Sequence, residues 1–212
     1  RNTGEHIARG NQQQGIRTFS TTGQQTITNT GAIQTLGASN SQGIRAEASG
    51  AANLTVNNSG SITTKGTGSS GIDAQAQGGS VSVSNSAAIQ GGWSDSSGVT
   101  LAGATQALNS TGNITALSDS AVRADASGTG NTFTLNNAGQ MTGSVSASSA
   151  VSQITNQGTW TLRNFSDSTG SGVRDTWGIA VSNLGSATGN SIDNTGLIRL
   201  ASQPASGIVN FN

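Results

Sequence analysis

Residues 56–62 read Val56-Asn57-Asn58-Ser59-Gly60-Ser61-Ile62, and the same pattern occurs seven times along this chain of 212 residues. At every second position the pattern has an apolar residue, a polar residue that is usually asparagine, a small residue and a large apolar residue. The other copies begin at Ile27, Val83, Leu108, Leu135, Ile154 and Ile192. One such segment cannot bury its own apolar side chains, so successive copies must stack on one another. The repeat therefore predicts a solenoid.

The spacing of the repeat gives the length of one turn. The small residue lies at positions 31, 60, 87, 112, 139, 158 and 196, so the interval is nearly constant except for one short step and one long step at the end. A second motif, a small residue followed by isoleucine or valine, keeps the same interval at Ile16, Ile44, Ile72, Val99, Val122, Ile179 and Ile208. Both motifs indicate about 27 residues per turn, with one degenerate copy at Val145 or Val151.

Within each period, apolar residues alternate with polar ones, as over residues 44–48. This alternation predicts short half-buried strands, which stack on their counterparts about 4.8 Å away. We therefore predict an all-β fold, a right-handed three-sided parallel β-helix of about eight coils, forming a single domain over residues 1–212. The handedness follows from the preference for right-handed crossovers between parallel strands. The register over residues 143–151 is left open, because two alignments fit.

The asparagines of the repeat have a structural interpretation. Asparagine tolerates a left-handed backbone at a corner, and identical amides stacked at strand spacing can hydrogen-bond to one another as a ladder. We predict such a ladder at Asn29, Asn58, Asn85, Asn137, Asn156 and Asn194.

The composition excludes several classes of function. Nine Lys and Arg residues balance nine Asp and Glu residues, so no basic field is present to bind nucleic acid. Cysteine is absent and His6 is the only histidine, which excludes disulfides, thiolate metal sites and a histidine triad. We expect no cofactor, no metal and no nucleic-acid partner.

The Asn-x-Gly-x-Ile corners, the Gly-Ile-x-Ala-x-Ala segments at residues 43–48 and 71–76, and the lack of cysteine together resemble the passenger domains of bacterial autotransporters. The resemblance runs from about Gly15 to Ile208. It implies a stalk or binding surface exported by type V secretion to the bacterial cell surface, or released from it. It also implies a C-terminal translocator barrel in the full-length protein, of which residues 1–212 would be a fragment.

One candidate binding surface is a column of residues on the outer face of one sheet. The first outward position after each Gly-Ile pair holds Arg17, Arg45, Asp73, Thr100 and Arg123 in turn. Glu47, Gln75 and Asp125 lie two positions further on. The column is interpreted either as a self-neutralising solvated face or as a strip that binds glycan or protein, with arginine making bidentate contacts to acidic groups.

A second candidate is an inserted loop at 163–177. Loops inserted into a regular solenoid often carry function, and aromatic and arginine residues often anchor binding patches. The predicted contact residues are Arg163, Phe165, Asp167, Arg174, Asp175 and Trp177. The alternative is that the two aromatic residues cover the adjoining coil.

A third candidate lies at the corner that contains Trp93. Asp95 follows closely, and Asp119 falls near the same corner one turn later. Two carboxylates close to Arg123 resemble the paired acids of polysaccharide-cleaving β-helix enzymes.

The sequence favours a non-enzymatic adhesin segment that attaches to host matrix protein, to host glycan or to the same protein on neighbouring cells. The alternatives are a carbohydrate-active enzyme and a purely structural spacer.

Overall fold

A computed structural model describes residues 1–126, 130–162, 181–182 and 188–200 of the chain. The inserted loop 163–177 lies outside the described residues. All regular structure in the described ranges is β-strand, and these ranges contain no helix with the length and apolar character needed to cross a bilayer.

The strands in chain order are β1 His6–Ala8, β2 Ile16–Ser20, β3 Gln25–Asn29, β4 Ile33–Thr35, β5 Ile44–Ala48, β6 Leu54–Asn58, β7 Ile62–Thr64, β8 Ile72–Ala76, β9 Ser80–Asn85, β10 Ile89–Gly91, β11 Val99–Gly103, β12 Thr105–Ser110, β13 Asn113–Ala116, β14 Ser120–Ala126, β15 Thr132–Asn137, β16 Gln140–Thr142, β17 Ser144–Ala147, β18 Val151–Asn156, β19 Thr159–Leu162, β20 Val181–Ser182, β21 Ser191–Asn194 and β22 Leu197–Leu200.

These strands form three parallel sheets, because every third strand pairs with its counterpart one turn later. The ladder sheet has the order β3-β6-β9-β12-β15-β18-β21. The charged sheet has the order β2-β5-β8-β11-β14-β17-β20, and the third sheet runs from β1 through β4, β7, β10, β13, β16 and β19 to β22. The predicted three-sheet, all-β parallel solenoid is confirmed.

The register fixes the length and number of turns. In the ladder sheet, each repeat position pairs with its counterpart in the next copy, and the successive partners are Asn29, Asn58, Asn85, Ser110, Asn137 and Asn156. The predicted period of about 27 residues is therefore confirmed. The described residues show about five turns, so the prediction of eight coils is too high. The chain before Ile16 supplies only β1, and the described residues after Leu162 are two short ranges.

The core is a thin stack of aliphatic layers. Strands β5 and β6 alternate buried and partly exposed side chains, as the two-residue pattern predicts. Trp160 is the largest fully buried side chain among those described, and its indole Nε1 donates a hydrogen bond to the carbonyl oxygen of Gly143, 2.7 Å away. In the irregular coil, Val145 pairs with Val122 in the charged sheet, whereas Val151 begins the next strand of the ladder sheet. Val145 therefore holds the position of the degenerate Gly-Ile copy.

The Gly-Ile motif has a packing explanation. A Cβ atom on Gly71 would lie 2.3 Å from Cγ2 of Ile89 and 2.7 Å from the carbonyl oxygen of Gly98. The same close contact with an isoleucine Cγ2, at 2.3–2.5 Å, is found for Gly15 with Ile33, Gly43 with Ile62 and Gly98 with Ile114. Glycine therefore makes room for a β-branched side chain of the third sheet.

Candidate functional site

The repeated asparagines form a ladder of side-chain hydrogen bonds inside the solenoid. Each Nδ2 donates to the Oδ1 of the residue one turn later: Asn29 to Asn58 at 2.7 Å, Asn58 to Asn85 at 2.8 Å, Asn137 to Asn156 at 2.7 Å and Asn156 to Asn194 at 2.6 Å. Asn2 adds a further rung by donating to Asn29 at 2.7 Å. All rungs point the same way, and most members are buried, so the ladder holds the turns in register rather than facing a ligand.

The local conformation of these asparagines differs from the sequence interpretation. They are the last residues of their strands, or partners of such residues, and none is among the described residues with a positive φ. Within the described ranges, the left-handed residues other than glycine are instead Gln12, Asn40, Asp95 and Asp119, with φ between 48° and 63°. The expectation that the ladder asparagines occupy left-handed corners is wrong; their identity is explained by hydrogen bonding alone.

The ladder has a gap at Ser110. Its hydroxyl accepts from Nδ2 of Asn85 at 3.2 Å and donates to the carbonyl oxygen of Gly112 at 3.5 Å. The next asparagine, Asn137, has a buried Oδ1 with no hydrogen-bond partner. A serine side chain is too short to carry the ladder from Asn85 to Asn137, so a buried acceptor is left unsatisfied.

We expect Ser110→Asn to stabilise the protein. The new Nδ2 would donate to Asn137 Oδ1, and the gain in unfolding free energy should be about 1 kcal/mol, since an unmet buried polar group costs roughly 1–3 kcal/mol. Urea denaturation followed by circular dichroism measures the change. The matched control is Ser84→Asn, because Ser84 is exposed on the outer face of the same sheet. A loss of stability in Ser110→Asn would contradict the proposed gap.

The charged column lies on the outer face of the charged sheet, in the predicted register. Arg17 pairs with Arg45, Arg45 with Asp73, Asp73 with Thr100 and Thr100 with Arg123. The closest ion pairs, Arg45 with Glu47 and Arg123 with Asp125, lie within single strands, and none joins Arg45 to Asp73 among the described residues. Glu47 lies 2.7 Å from Nη2 of Arg45 and 3.8 Å from Nη2 of Arg17, and Asp125 lies 2.9 Å from Nε of Arg123. These contacts raise the pKa of Arg45 and Arg123, because each donates to a carboxylate.

Asp73 is the unusual member of this column because it is only 7% exposed. Nε2 of Gln75 donates to its Oδ1 at 2.8 Å. Burial raises the pKa of Asp73 above its ordinary value of 3.8, and the Gln75 hydrogen bond and the charge of Arg45 offset only part of that effect. The sequence predicted a solvated position here, so this burial was missed.

The raised pKa of Asp73 predicts a pH-dependent stability. The folded protein holds the Asp73 proton more tightly than the unfolded chain does, so this residue's contribution to stability is present at low pH. That contribution is lost as the pH rises from about 3.8 through the raised pKa. We therefore expect Asp73→Asn to be more stable than the wild type at pH 7, with the difference shrinking toward pH 3. Urea midpoints across this range test it, with the exposed Asp95→Asn as control. A wild-type advantage at pH 7 would contradict it.

Backbone conformation explains the two aspartates of the third candidate site, at the corner that contains Trp93. Asp95 has φ 58° and Asp119 has φ 63°, and Asn40 and Gln12 occupy the same corner in earlier turns. Asparagine and aspartate are enriched in left-handed conformations because their short polar side chains bond locally. Asp95 is exposed, Asp119 is 9% exposed and Trp93 is partly buried. The left-handed backbone therefore gives a structural reason for an aspartate at both positions.

The outer face of the ladder sheet is flat and almost uncharged. One column contains Thr28, Asn57, Ser84, Asn109, Asn136, Thr155 and Asp193 in register. A parallel column contains Thr26, Thr55, Ser82, Ala107, Thr134, Gln153 and Ser191. A shallow groove of about 310 Å³ lies between the first column and the ladder corner. Asp193, at the end of its column, is the only charged residue in the two columns.

A second, smaller pocket of about 280 Å³ lies beside the charged sheet and is lined by Gln12, Gln14, Arg17, Asn40 and Arg45. Sequence reasoning found the two arginines but missed the three amides. The repeat could have indicated two of these amides, because Gln12 and Asn40 are one repeat apart in the sequence, as are Arg17 and Arg45. The predicted contact residues Arg163, Phe165, Asp167, Arg174, Asp175 and Trp177 lie outside the described residues.

No protein-family model, no curated protein and no solved structure matches this chain. Among the described residues, no group of three or more His, Cys, Asp and Glu side chains is placed to hold a metal ion.

Proposed function

We propose that this chain is a non-enzymatic adhesin segment of a bacterial autotransporter passenger, built on a right-handed parallel β-helix. In this proposal it is exported to the bacterial cell surface by a C-terminal translocator barrel. There it attaches to host matrix protein, to host glycan or to passengers on neighbouring cells.

The observation that supports the proposal best is the outer face of the ladder sheet. Apart from Ala107 and the charged Asp193, its two columns present hydroxyl and amide side chains at strand spacing. A flat face without repulsive charge can make many modest hydrogen bonds to a glycan or to a second flat face. The ladder and the stacked core keep that face rigid, which lowers the entropy cost of binding.

The non-enzymatic interpretation is favoured by the corner carboxylates. Left-handed backbone accounts for Asp95 and Asp119 without any catalytic role. Replacing both by asparagine should leave any glycan-binding activity unchanged. Loss of turnover of an acidic glycan in that variant would favour the enzyme instead.

The proposal is tested by placing charge on the ladder-sheet face. The purified protein is applied to an array of matrix proteins, glycans and immobilised copies of itself, beside a variant carrying Asn57→Glu and Asn109→Glu. These exposed positions are separated by Ser84, so the new carboxylates are not direct neighbours. The matched control carries Thr63→Glu and Thr115→Glu on the third sheet, where Gln90 separates them.

We expect saturable binding by the wild type and the control, and its loss in the ladder-sheet variant. Binding that survives in both variants would mean that the adhesive site lies outside the outer face of the ladder sheet. No binding to any surface would contradict the adhesive function and favour the structural spacer.

A further inference from the structure

The pocket lined by Gln12, Gln14, Arg17, Asn40 and Arg45 has the chemistry of an anion site. Arg17 and Arg45 are direct partners on adjacent strands, so two like charges lie side by side. Like charges directly opposite each other in a sheet are destabilising unless something neutralises them. The chain has only nine basic residues, and two of them line this one pocket.

Glu47 neutralises only part of this charge. Its carboxylate accepts a hydrogen bond from Nη2 of Arg45 at 2.7 Å but lies 3.8 Å from Nη2 of Arg17, which is beyond hydrogen-bond distance. The Arg17 side chain is 63% exposed, and Nε of Arg45 is buried without a hydrogen-bond partner. Glu47 is not among the residues that line the pocket, so the lining itself carries two guanidinium groups and no carboxylate.

The rest of the lining consists of carboxamides. Nε2 of Gln14 donates to the carbonyl oxygen of Asn40 and to Oε1 of Gln42, both at 3.2 Å, which fixes Gln14 across two turns. Gln12 and Asn40 are exposed at the left-handed corner. Carboxamides both donate and accept hydrogen bonds, as recognition of a sugar hydroxyl requires. The volume of about 280 Å³ is at the small end of ligand pockets, near 300 Å³, and suits one sugar ring.

We infer that this pocket binds an acidic sugar residue of a glycan, with the sugar's oxyanion between Arg17 and Arg45 and its hydroxyls on Gln12, Gln14 and Asn40. Arginine's planar fork matches a carboxylate or a sulfate through paired hydrogen bonds. An acidic peptide would satisfy the arginines but offers no hydroxyls to the three amides. The inference rests on the proposed adhesive function and adds a second contact region, beside the charged sheet, with its own ligand class; binding of an acidic glycan there should survive in the ladder-sheet variant.

The test uses isothermal titration of the whole chain with a trimer of galacturonic acid, and with the methyl ester of the same trimer as the uncharged probe. Two variants remove the pocket's charge: Arg17→Gln, whose side chain is largely exposed, and the double variant with Arg45→Gln. The matched control is Arg123→Gln, which removes an arginine from the same column outside the pocket. Circular dichroism confirms that each variant is folded.

We expect the acid trimer to bind the wild type and Arg123→Gln alike. Binding should weaken by at least about tenfold in Arg17→Gln, since a charge-assisted hydrogen bond contributes more than the roughly 1.4 kcal/mol that tenfold requires. The methyl ester should bind weakly to all forms. Equal binding of acid and ester, equal binding of a polyglutamate peptide, or unchanged binding in the double variant would each overturn the inference. A wild type that binds array surfaces but not the trimer contradicts this inference alone, whereas failure on every array surface contradicts the proposed function.

Discussion

Replacing Asn58 by alanine should destabilise the protein by about 3 kcal/mol, one of the largest losses expected for a single polar side chain here. Asn58 is 3% exposed and is a central rung of the ladder. Its Oδ1 accepts from Nδ2 of Asn29 at 2.7 Å, and its Nδ2 donates to Oδ1 of Asn85 at 2.8 Å. The substitution removes both bonds.

The cost exceeds two ordinary hydrogen bonds because the neighbours stay buried. Nδ2 of Asn29 loses the acceptor one turn later, in a region that water does not reach. A buried polar group left unsatisfied costs roughly 1–3 kcal/mol, beyond the roughly 1 kcal/mol net value of a typical bond. Asn85 is affected less, because its Oδ1 also accepts from the backbone nitrogen of Ala87 at 3.3 Å.

The matched control is Asn57→Ala, one residue earlier in the same strand. Asn57 is exposed on the outer face of the ladder sheet, and surface substitutions usually change stability by less than about 0.5 kcal/mol. Urea denaturation of both variants measures the difference. Similar midpoints for the two would mean that the ladder contributes little to stability.

The ladder and the three sheets could be predicted from sequence because a solenoid translates sequence position directly into spatial position. Residues one period apart become neighbours, so Asn29 and Asn58 meet without any knowledge of the tertiary fold. The two-residue alternation then assigns each side chain to the core or the surface. The same logic predicts the register of the charged column from Arg17 to Arg123.

Other features depend on local geometry that the period does not encode. Asp73 is buried and accepts a hydrogen bond from Gln75 along the strand, whereas its place in the column predicts a solvated carboxylate. The left-handed conformation belongs to a corner whose residues, Gln12, Asn40 and Asp95, share no single amino-acid type. The amides of the pocket were missed because they belong to neither repeated motif, although Gln12 and Asn40 are one period apart.

The packing of Gly71 against Ile89 predicts the second large effect. A Cβ at position 71 would lie 2.3 Å from Cγ2 of Ile89 and 2.7 Å from the backbone oxygen of Gly98, closer than real atoms approach. We expect Gly71→Ala to lower the unfolding free energy by about 3 kcal/mol, at the upper end of the usual cost of overpacking a core. Thermal and urea unfolding measure this loss.

One turn of the chain shows how a Cβ atom is accommodated at the position of this glycine. In the turn where alanine replaces glycine, at Ala121, the partner of Ile114 in the third sheet is Met141. Methionine has no branch at Cβ, so it lacks the Cγ2 atom that the glycine accommodates. The pairing of the charged sheet also shifts between Ser120 and Val122, so Ala121 is the extra residue of this irregularity.

The double variant Gly71→Ala with Ile89→Met should therefore recover part of the loss. Ile89→Met alone should cost less than about 1.5 kcal/mol, as a volume-conserving core substitution. If the two residues interact through the missing Cγ2 contact, the double variant should be about 1–2 kcal/mol more stable than the sum of the single effects predicts. Recovery should be incomplete, because Ile89→Met does not move the backbone oxygen of Gly98.

The control for glycine replacement is Gly4→Ala, because nothing lies within 4 Å of a Cβ built there. That variant should keep the wild-type stability within about 0.5 kcal/mol, since it meets no neighbour. Strict additivity of the two core substitutions would contradict the packing explanation of the Gly-Ile motif. The motif would then reflect only the contact with the backbone of the next turn. A positive coupling would instead show that Gly71 and Ile89, which lie less than one repeat apart in the sequence, constrain each other through side-chain packing.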